Sequence, residues 1–277
     1  MTPLKVLIPT DFSVQAEYAW ILVSKLAKKL PMEVHFLHVL NMPETVTLSE
    51  DGKVETCGEI DVRFVESQKA IAERKLDETR HMAGTEVRTH LRFGKATDTI
   101  LSFAESQSFD LIAMGTKGSW GVKEKLSGSE TQMVARKSRI PVLSLMCDRS
   151  DLEINNLLLV HDFTDPNPQE MALLRNVKEA FQPVLHLLQI QKQPGEEQTA
   201  KIESAMSRFA SIHQLGEVEK HILQDNDVEN GVIHFNQMHD MDLICMGTHG
   251  KGGLLHSSAT EKLINHMFKP IISFHLN

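Results

Sequence analysis

Gly115, Gly118, Gly128 and Ser129 stand within MGTKGSWGVKEKLSGSE (Met114–Glu130) at the spacing glycine, two residues, glycine, nine residues, glycine, serine. Without a Cβ, a glycine lets backbone N–H groups approach an anion and takes up positive φ easily. Gly128 and Ser129 precede the helical segment ETQMVARKS. The unpaired amides and partial positive charge at a helix start favour an anion there. Ser129 can donate its hydroxyl to a phosphate or cap the helix. Taken alone, the glycine spacing fits an ordinary surface loop better than a phosphate cradle, and its place after a strand decides between them. Lys117, Lys123 and Lys125 fit either, as phosphate partners or as a solvated face.

The chain around this stretch has 277 residues, 41% hydrophobic and only 5% aromatic, so Leu, Ile, Val and Met must fill its core. A formal net charge of -8 argues against nucleic acid as the main partner, because a phosphate backbone attracts a basic face. Cys57, Cys147 and Cys245 lie far apart with no metal-ligand spacing, which suits a reducing compartment. Cys245, inside DLICM, reads as a buried small residue. The N-terminus MTPLKVLIPTDF lacks a basic region followed by a long apolar one, and no stretch approaches the roughly 20 apolar residues of a membrane span. The expectation is a cytoplasmic protein with no membrane partner.

An internal repeat organises the elements that position these residues. DLIAMGTKG (110–118) returns as DLICMGTHG (242–250), with seven of nine residues identical. KVLIPTDFS (5–13) returns as NLLLVHDFT (156–164), and IPVLSL (140–145) as KPIISF (269–274), in the same order. Three matches in register make two copies of one domain, residues 1–147 and 154–277, joined near Asp148–Ile154. Within the first copy short apolar runs alternate with helical spacing: KVLIP, EVHFLHVL, EVRTHLRF, DLIAMG and PVLSLM read as strands. SVQAEYAWILVSKLAKKL, DVRFVESQKAIAERKLDETRHM, TDTILSFAES and SETQMVARKS read as helices, the first capped by Ser13. This is the pattern of a parallel α/β sheet covered on both faces. Asn41–Glu59, rich in acidic residues, Pro and Gly, reads as a surface excursion. In an open α/β sheet ligands sit beyond the carboxyl ends of the strands, so the residues to watch are Pro9, Thr10, Asp11, Val39, Met114 and Gly115.

The first copy resembles the universal stress proteins in their ATP-binding branch. The glycine motif matches at Gly115, Gly118, Gly128 and Ser129, IPTDFS matches a first-strand signature with Asp11, and LHV and PVLSL match later strand ends. The resemblance spans essentially the whole chain as a tandem pair. It implies two open-sheet domains, each a five-stranded parallel sheet of order 3-2-1-4-5 with helices on both faces, adenine nucleotide alpha-hydrolase-like. It implies ATP or another adenine nucleotide, with accompanying Mg²⁺ left open. Asp11 would accept hydrogen bonds from the ribose or adenine region, with Pro9 and Thr10 lining that pocket and Val39 meeting adenine through its backbone. Met114, Gly115 and Gly118 would border ribose and phosphates, and Gly128, Ser129 and the amide of Glu130 would hold the phosphate chain. The Glu130 carboxylate would oppose phosphate charge or turn to solvent. The resemblance further implies that Val142–Met146 and Ile271–Phe274 pair across a domain interface, one chain mimicking a dimer. Further homodimerisation stays open.

The second copy departs from the pattern. Val160 and His161 replace Pro9 and Thr10, Asp162 keeps Asp11, and Gly247 and Gly250 keep the first two glycines. Thr260 stands where the spacing from Gly250 asks for the third glycine. Alignment on the last strand instead sets Ser257 and Ser258 opposite Gly128 and Ser129, with three residues deleted. On either alignment this copy is degenerate. His234, His239, His249 and His256 cluster in sequence but form no compact ligand set, so no metal site is expected. No Walker A motif, GxSxG elbow or base–nucleophile–Mg²⁺ cluster is present. The expectation is a non-enzymatic ATP-binding protein of stress response or signalling. An interaction protein that binds no nucleotide, or a slow ATP hydrolase, are the alternatives.

Overall fold

The structure is a computed structural model; it describes residues 2–43, 45–49, 53–56, 61–84, 86–116, 130–163, 171–193, 195–247 and 254–274. The first half runs β1 (Leu4–Pro9), α1 (Val14–Leu26), β2 (Met32–Leu40), β3 (Val46–Leu48), β4 (Val54–Thr56), α2 (Val62–Ala83), β5 (Arg88–Phe93), α3 (Ala96–Ser106), β6 (Leu111–Gly115), α4 (Glu130–Lys137) and β7 (Val142–Leu145). Helix α1 begins where the sequence asks for it: the Ser13 hydroxyl accepts from the Ala16 amide at 3.4 Å. Its inner face is Ala16, Ala19, Leu22, Val23 and Leu26, a stripe of helical period. Asp61 caps α2 in the same manner, accepting from the Arg63 amide at 2.9 Å.

The segment read as a bare surface excursion instead contains an antiparallel hairpin, β3 against β4, pairing Val46 with Thr56 and Leu48 with Val54. Val46 is the reason it holds: it is 3% exposed, an apolar anchor that the acidic composition around it disguised.

The second half repeats the order with β8 (Asn156–Val160), α5 (Ala172–Phe181), β9 (Val184–Gln191), α6 (Glu196–Ile212), β10 (Glu219–Gln224), α7 (Val228–His239), β11 (Leu243–Gly247), α8 (Leu254–His266) and β12 (Ile271–Phe274). Each half has its own parallel sheet in the expected order 3-2-1-4-5, and the two join into one ten-stranded sheet, β10-β9-β8-β11-β12-β7-β6-β1-β2-β5. The seam is the antiparallel pair β7–β12, matching Val142 with Ser273, Leu143 with Ile272 and Ser144 with Ile271. Leu143 and Ile272 are equivalent in the repeat, so a local two-fold axis passes between them. The interface is therefore isologous, as in a symmetric dimer.

Alternation along the strands sends side chains into two cores. Val6, Ile8, Phe36 and Ala113 face one, with Leu157, Leu159 and Phe209 of the second half. Leu7, Leu37, Ile112 and Met114 face the other, with Leu158, Phe235 and Ile264. Both cores therefore run through the seam. Each fully buried Leu or Ile there contributes about 1.5–3 kcal/mol from removal of apolar surface from water. The carboxyl ends of β1, β2 and β6 emerge together at one end of the first half, where the topology reverses direction.

Candidate functional site

A cavity of about 340 Å³ opens at that reversal point. Its wall includes Pro9, Thr10 and Asp11 after β1, His38 and Val39 at the end of β2, Met114, Gly115 and Thr116 at the end of β6, and Glu130 and Thr131 at the start of α4. Seven of the ten residues expected from sequence thus meet around one space. Gly118, Gly128 and Ser129 lie outside the described residues.

The turn after β1 is built from its own polar groups. The Thr10 amide donates to the Leu37 carbonyl at 2.8 Å, which ties the turn to β2. The Thr10 hydroxyl accepts from the Phe12 amide at 2.9 Å, and Asp11 Oδ1 accepts from the Ser13 amide at 3.0 Å. Phe12 takes φ 64, a left-handed conformation that this bond pattern holds in place. His38 Nδ1–H donates to the Thr10 carbonyl at 2.7 Å, which fixes the tautomer and leaves Nε2 as an acceptor. Burial holds His38 below the ordinary histidine range, against the opposing pull of the Thr10 carbonyl and Asp11. Leu37, Val39, Ile100 and Met114 give the wall its apolar side chains.

Gly115 has a different reason from the one its motif suggests. It does not take positive φ. A Cβ there would lie 1.9 Å from the Gln15 carbonyl oxygen, so glycine is required for α1 to pack against the end of β6. Glu130 is exposed, as one of its two expected orientations required, and its carboxylate also accepts a hydrogen bond from the Thr97 hydroxyl in α3. The charged residues of the described wall are Asp11 and Glu130, both acidic. Any phosphate recognition by these residues therefore falls to neutral donors, the backbone amides, the start of α4 and side chains such as Ser13 and Gln15. Thr131 was not foreseen. It is buried, and its hydroxyl donates to the Gly115 carbonyl at 2.9 Å, locking the start of α4 onto the end of β6. Thr116, also on the wall, donates to Asn265 Oδ1 in α8 at 3.1 Å, and Gln132 Nε2 donates to the Glu261 carbonyl at 2.7 Å. The site is thus in hydrogen-bond contact with the second half.

The corresponding place in the second half is a cavity of about 790 Å³ lined by Val160, His161, Asp162, Gln189, Asp225, Asp227, Glu229 and Lys262 among others. Its frame is the same. The His161 amide donates to the Leu188 carbonyl at 3.2 Å, and His161 Nδ1 accepts from the Phe163 amide at 2.6 Å, doing the work of the Thr10 hydroxyl. Phe163 takes φ 55, as Phe12 does. Thr260 donates to the Gly247 carbonyl at 3.3 Å, which makes it the counterpart of Thr131. Alignment on the last strand is therefore the correct one; Ser257 and Ser258 face Gly128 and Ser129 in sequence, and Ala259 replaces Glu130. Of the four histidines crowded in sequence, His234 Nδ1 meets Asp225 Oδ2 at 2.6 Å, the His239 ring lies beside those of His186, His221 and Phe235, and His249 and the side chain of His256 lie outside the described residues.

Cys245 is fully buried, and desolvation drives its thiol far above the ordinary range, so it is an inert core residue. Among the described residues no helix is long and apolar enough to cross a membrane.

A family model described as the universal stress protein family matches the chain twice, over residues 4–145 and 159–275. Two universal stress proteins of Methanocaldococcus jannaschii are similar to it. One is 31% identical over 50% of this chain and 79% of its own length, the other 30% identical over 50% and 92%. The solved structure of a universal stress protein from Archaeoglobus fulgidus superposes with a TM-score of 0.74, covering 99% of each chain at 18% identity. That likeness extends the shared fold across both halves.

Proposed function

The chain belongs to the universal stress protein family, in two tandem copies, and on that premise we propose that its first half binds ATP or another adenine nucleotide as a regulatory ligand. The observation that carries this reading is the cavity at the ends of β1, β2 and β6. It places Asp11, Val39, Met114 and Gly115 around one space with the start of α4 at its rim. The intact glycine–glycine–glycine–serine spacing enters between β6 and α4 in sequence. Leu37, Val39, Ile100 and Met114 offer a base an apolar slot, and Asp11 offers ribose hydroxyls an acceptor. The size suits a small ligand.

The chemistry favours holding over turnover. Phosphoryl transfer requires a positioned nucleophile and metal ligands at the γ-phosphate. Asp11 and Glu130 each accept a hydrogen bond from the frame, from the Ser13 amide and the Thr97 hydroxyl respectively. In this reading ATP turns over slowly at most, with Mg²⁺ as an accompanying ion rather than a catalytic one. The nucleotide acts in stress response or signalling by bearing on α4, whose Gln132 reaches the Glu261 carbonyl across the seam.

The test is mass spectrometry of gently denatured purified protein, followed by the Gly128→Glu variant. The expected result is an adenine nucleotide released from the wild type and none from the variant, at unchanged circular dichroism. Recovery of no nucleotide, together with no binding of added ATP, would move the chain to the interaction proteins that bind none. Phosphate release at several turnovers per second would make it a hydrolase.

A further inference from the structure

Both halves place a pair of histidines between their second and third strands, yet only one pair is completed by a carboxylate on the correct side. In the second half His186 of β9 lies in register with Glu219 of β10, and His221 follows two residues on. Residues i and i+2 of a strand share a face, so all three side chains meet on the α7 side of the sheet. His186 Nδ1 stands 3.0 Å from His221 Nε2, Glu219 Oε2 is 3.3 Å from His186 Nδ1, and the same oxygen is 3.6 Å from His221 Nε2. These edges match three corners of a tetrahedron whose centre lies about 2.1 Å from each corner, the bond length of zinc to imidazole nitrogen and carboxylate oxygen.

The surroundings orient the donors. The far nitrogen of His186, Nε2, faces Asn156 Oδ1 at 3.5 Å on the neighbouring strand. An acceptor there keeps the proton on Nε2 and turns the Nδ1 lone pair toward the cluster, the outer-shell arrangement that metal-binding histidines use. Phe235 packs against both rings, with centroids 6.4 Å from His186 and 4.9 Å from His221. His186 is buried, and the Glu219 side chain is 58% exposed, which gives an ion a path from solvent.

The first half supplies the contrast. His35 Nδ1 and His90 Nε2 are 2.9 Å apart, but Glu33 meets the other nitrogen of His35, Nε2, at 2.9 Å. The place in register with His35 is held by Arg88, a cation where the second half has Glu219. Among the described residues this pair has no third corner.

We infer that His186, His221 and Glu219 form a binding site for a divalent transition metal ion, zinc by the imidazole–carboxylate donor set, with water in the fourth position. The ion would pin the edge strand β10 to β9. The site lies at the amino ends of these strands, the opposite end from the cavities, and stands or falls independently of nucleotide binding.

The experiment uses the untagged full-length chain, stripped with a chelator and dialysed, and titrates Zn²⁺ against a chromophoric competitor while following thermal unfolding. The expected result is one equivalent of zinc per chain, not two, with a rise in Tm, because a ligand that binds only the folded chain stabilises it. Glu219→Arg, which copies the first half at an exposed position, and His221→Asn should each weaken binding at least about tenfold. His90→Asn should leave it unchanged. Co²⁺ in place of zinc should give the visible absorption of a tetrahedral site in the wild type alone. Zinc binding no tighter than about 100 μM, or tighter binding that survives both Glu219→Arg and His221→Asn, would overturn the proposal.

Discussion

The two halves share a frame and differ in what the frame holds. Thr10 and His161 brace the same left-handed turn before Phe12 and Phe163, and Thr131 and Thr260 tie the fourth helix of each half to the fourth strand's end. Around that frame the first cavity is small and largely apolar, with Asp11 and Glu130 at its edges. The second is lined by Asp162, Asp225, Asp227 and Glu229 against Lys192 and Lys262. Four carboxylates disfavour a phosphate chain, and the sequence there lacks the third glycine of the spacing. The histidine pairs invert the relation: there the second half is complete and the first is blocked by Arg88. The lesson is that residues repeated in both halves chiefly maintain the fold. Function is to be sought where the halves diverge.

Gly128→Glu breaks the comparison most severely. It should abolish ATP binding, by about 100-fold or more in Kd, since the family resemblance assigns Gly128 to the phosphate chain and glutamate would bring a like charge to it. Ser257→Ala and Ser258→Ala should leave affinity within about twofold, because a neutral change in the half without the site removes no contact; calorimetry reads all three. Gly115→Ala tests the packing role instead. Its Cβ would meet backbone at 1.9 Å, so chemical denaturation should show a loss of about 1–3 kcal/mol or more. Gly231→Ala probes a tightly packed helix glycine in the second half. Ile190 Cδ1 would lie 2.6 Å and its Cγ1 and Cγ2 2.9 Å from the new Cβ, so the branched side chain must shift as a whole, and the change should cost about 1–2 kcal/mol after alanine's preference for helix.

Acid should expose the buried histidines. His90 is pushed down to about 4, first by burial and then by His35, Arg92 and its other cationic neighbours. The unfolded chain binds that proton near 6.5 and the folded chain refuses it until about 4. The stabilisation is therefore present above pH 6.5 and is lost as pH falls toward 4. His90→Gln should flatten that part of the Tm profile. The smallest effect lies at the seam. Ser144 and Ser273 are equivalent in the repeat, but Ser273 donates to the Val142 carbonyl at 3.3 Å whereas the buried Ser144 hydroxyl has no partner among the described residues. Ser273→Ala should cost about 1 kcal/mol and Ser144→Ala nothing, or slightly stabilise. Equal losses would show that the two sides of the seam are more alike than their hydrogen bonds.

Most of the frame was legible in the sequence because periodicity and capping are local. KVLIP, DLIAMG and PVLSLM became β1, β6 and β7, and Ser13 caps α1. The seam followed from the resemblance rather than from any local pattern. What escaped depends on register or on atoms far apart in sequence. His186 and His221 belong to different strands, and nothing local says that Glu219 faces His186 while Arg88 faces His35. His239, from the run of histidines between His234 and His256, lies beside both the His186 and His221 rings, a contact that no local pattern announces. Gly115 sits in a phosphate-motif spacing, yet its immediate neighbour is the backbone of α1, a contact that only the packed helix creates. Val46 gave the hairpin its anchor, one apolar residue among charges.

The central claim is that one half holds the nucleotide and the other does not. Calorimetric titration of ATP into the full-length, nucleotide-free chain measures this directly. The account predicts one ATP per chain; a stoichiometry of two, or no binding heat with no protection from thermal unfolding, would contradict it.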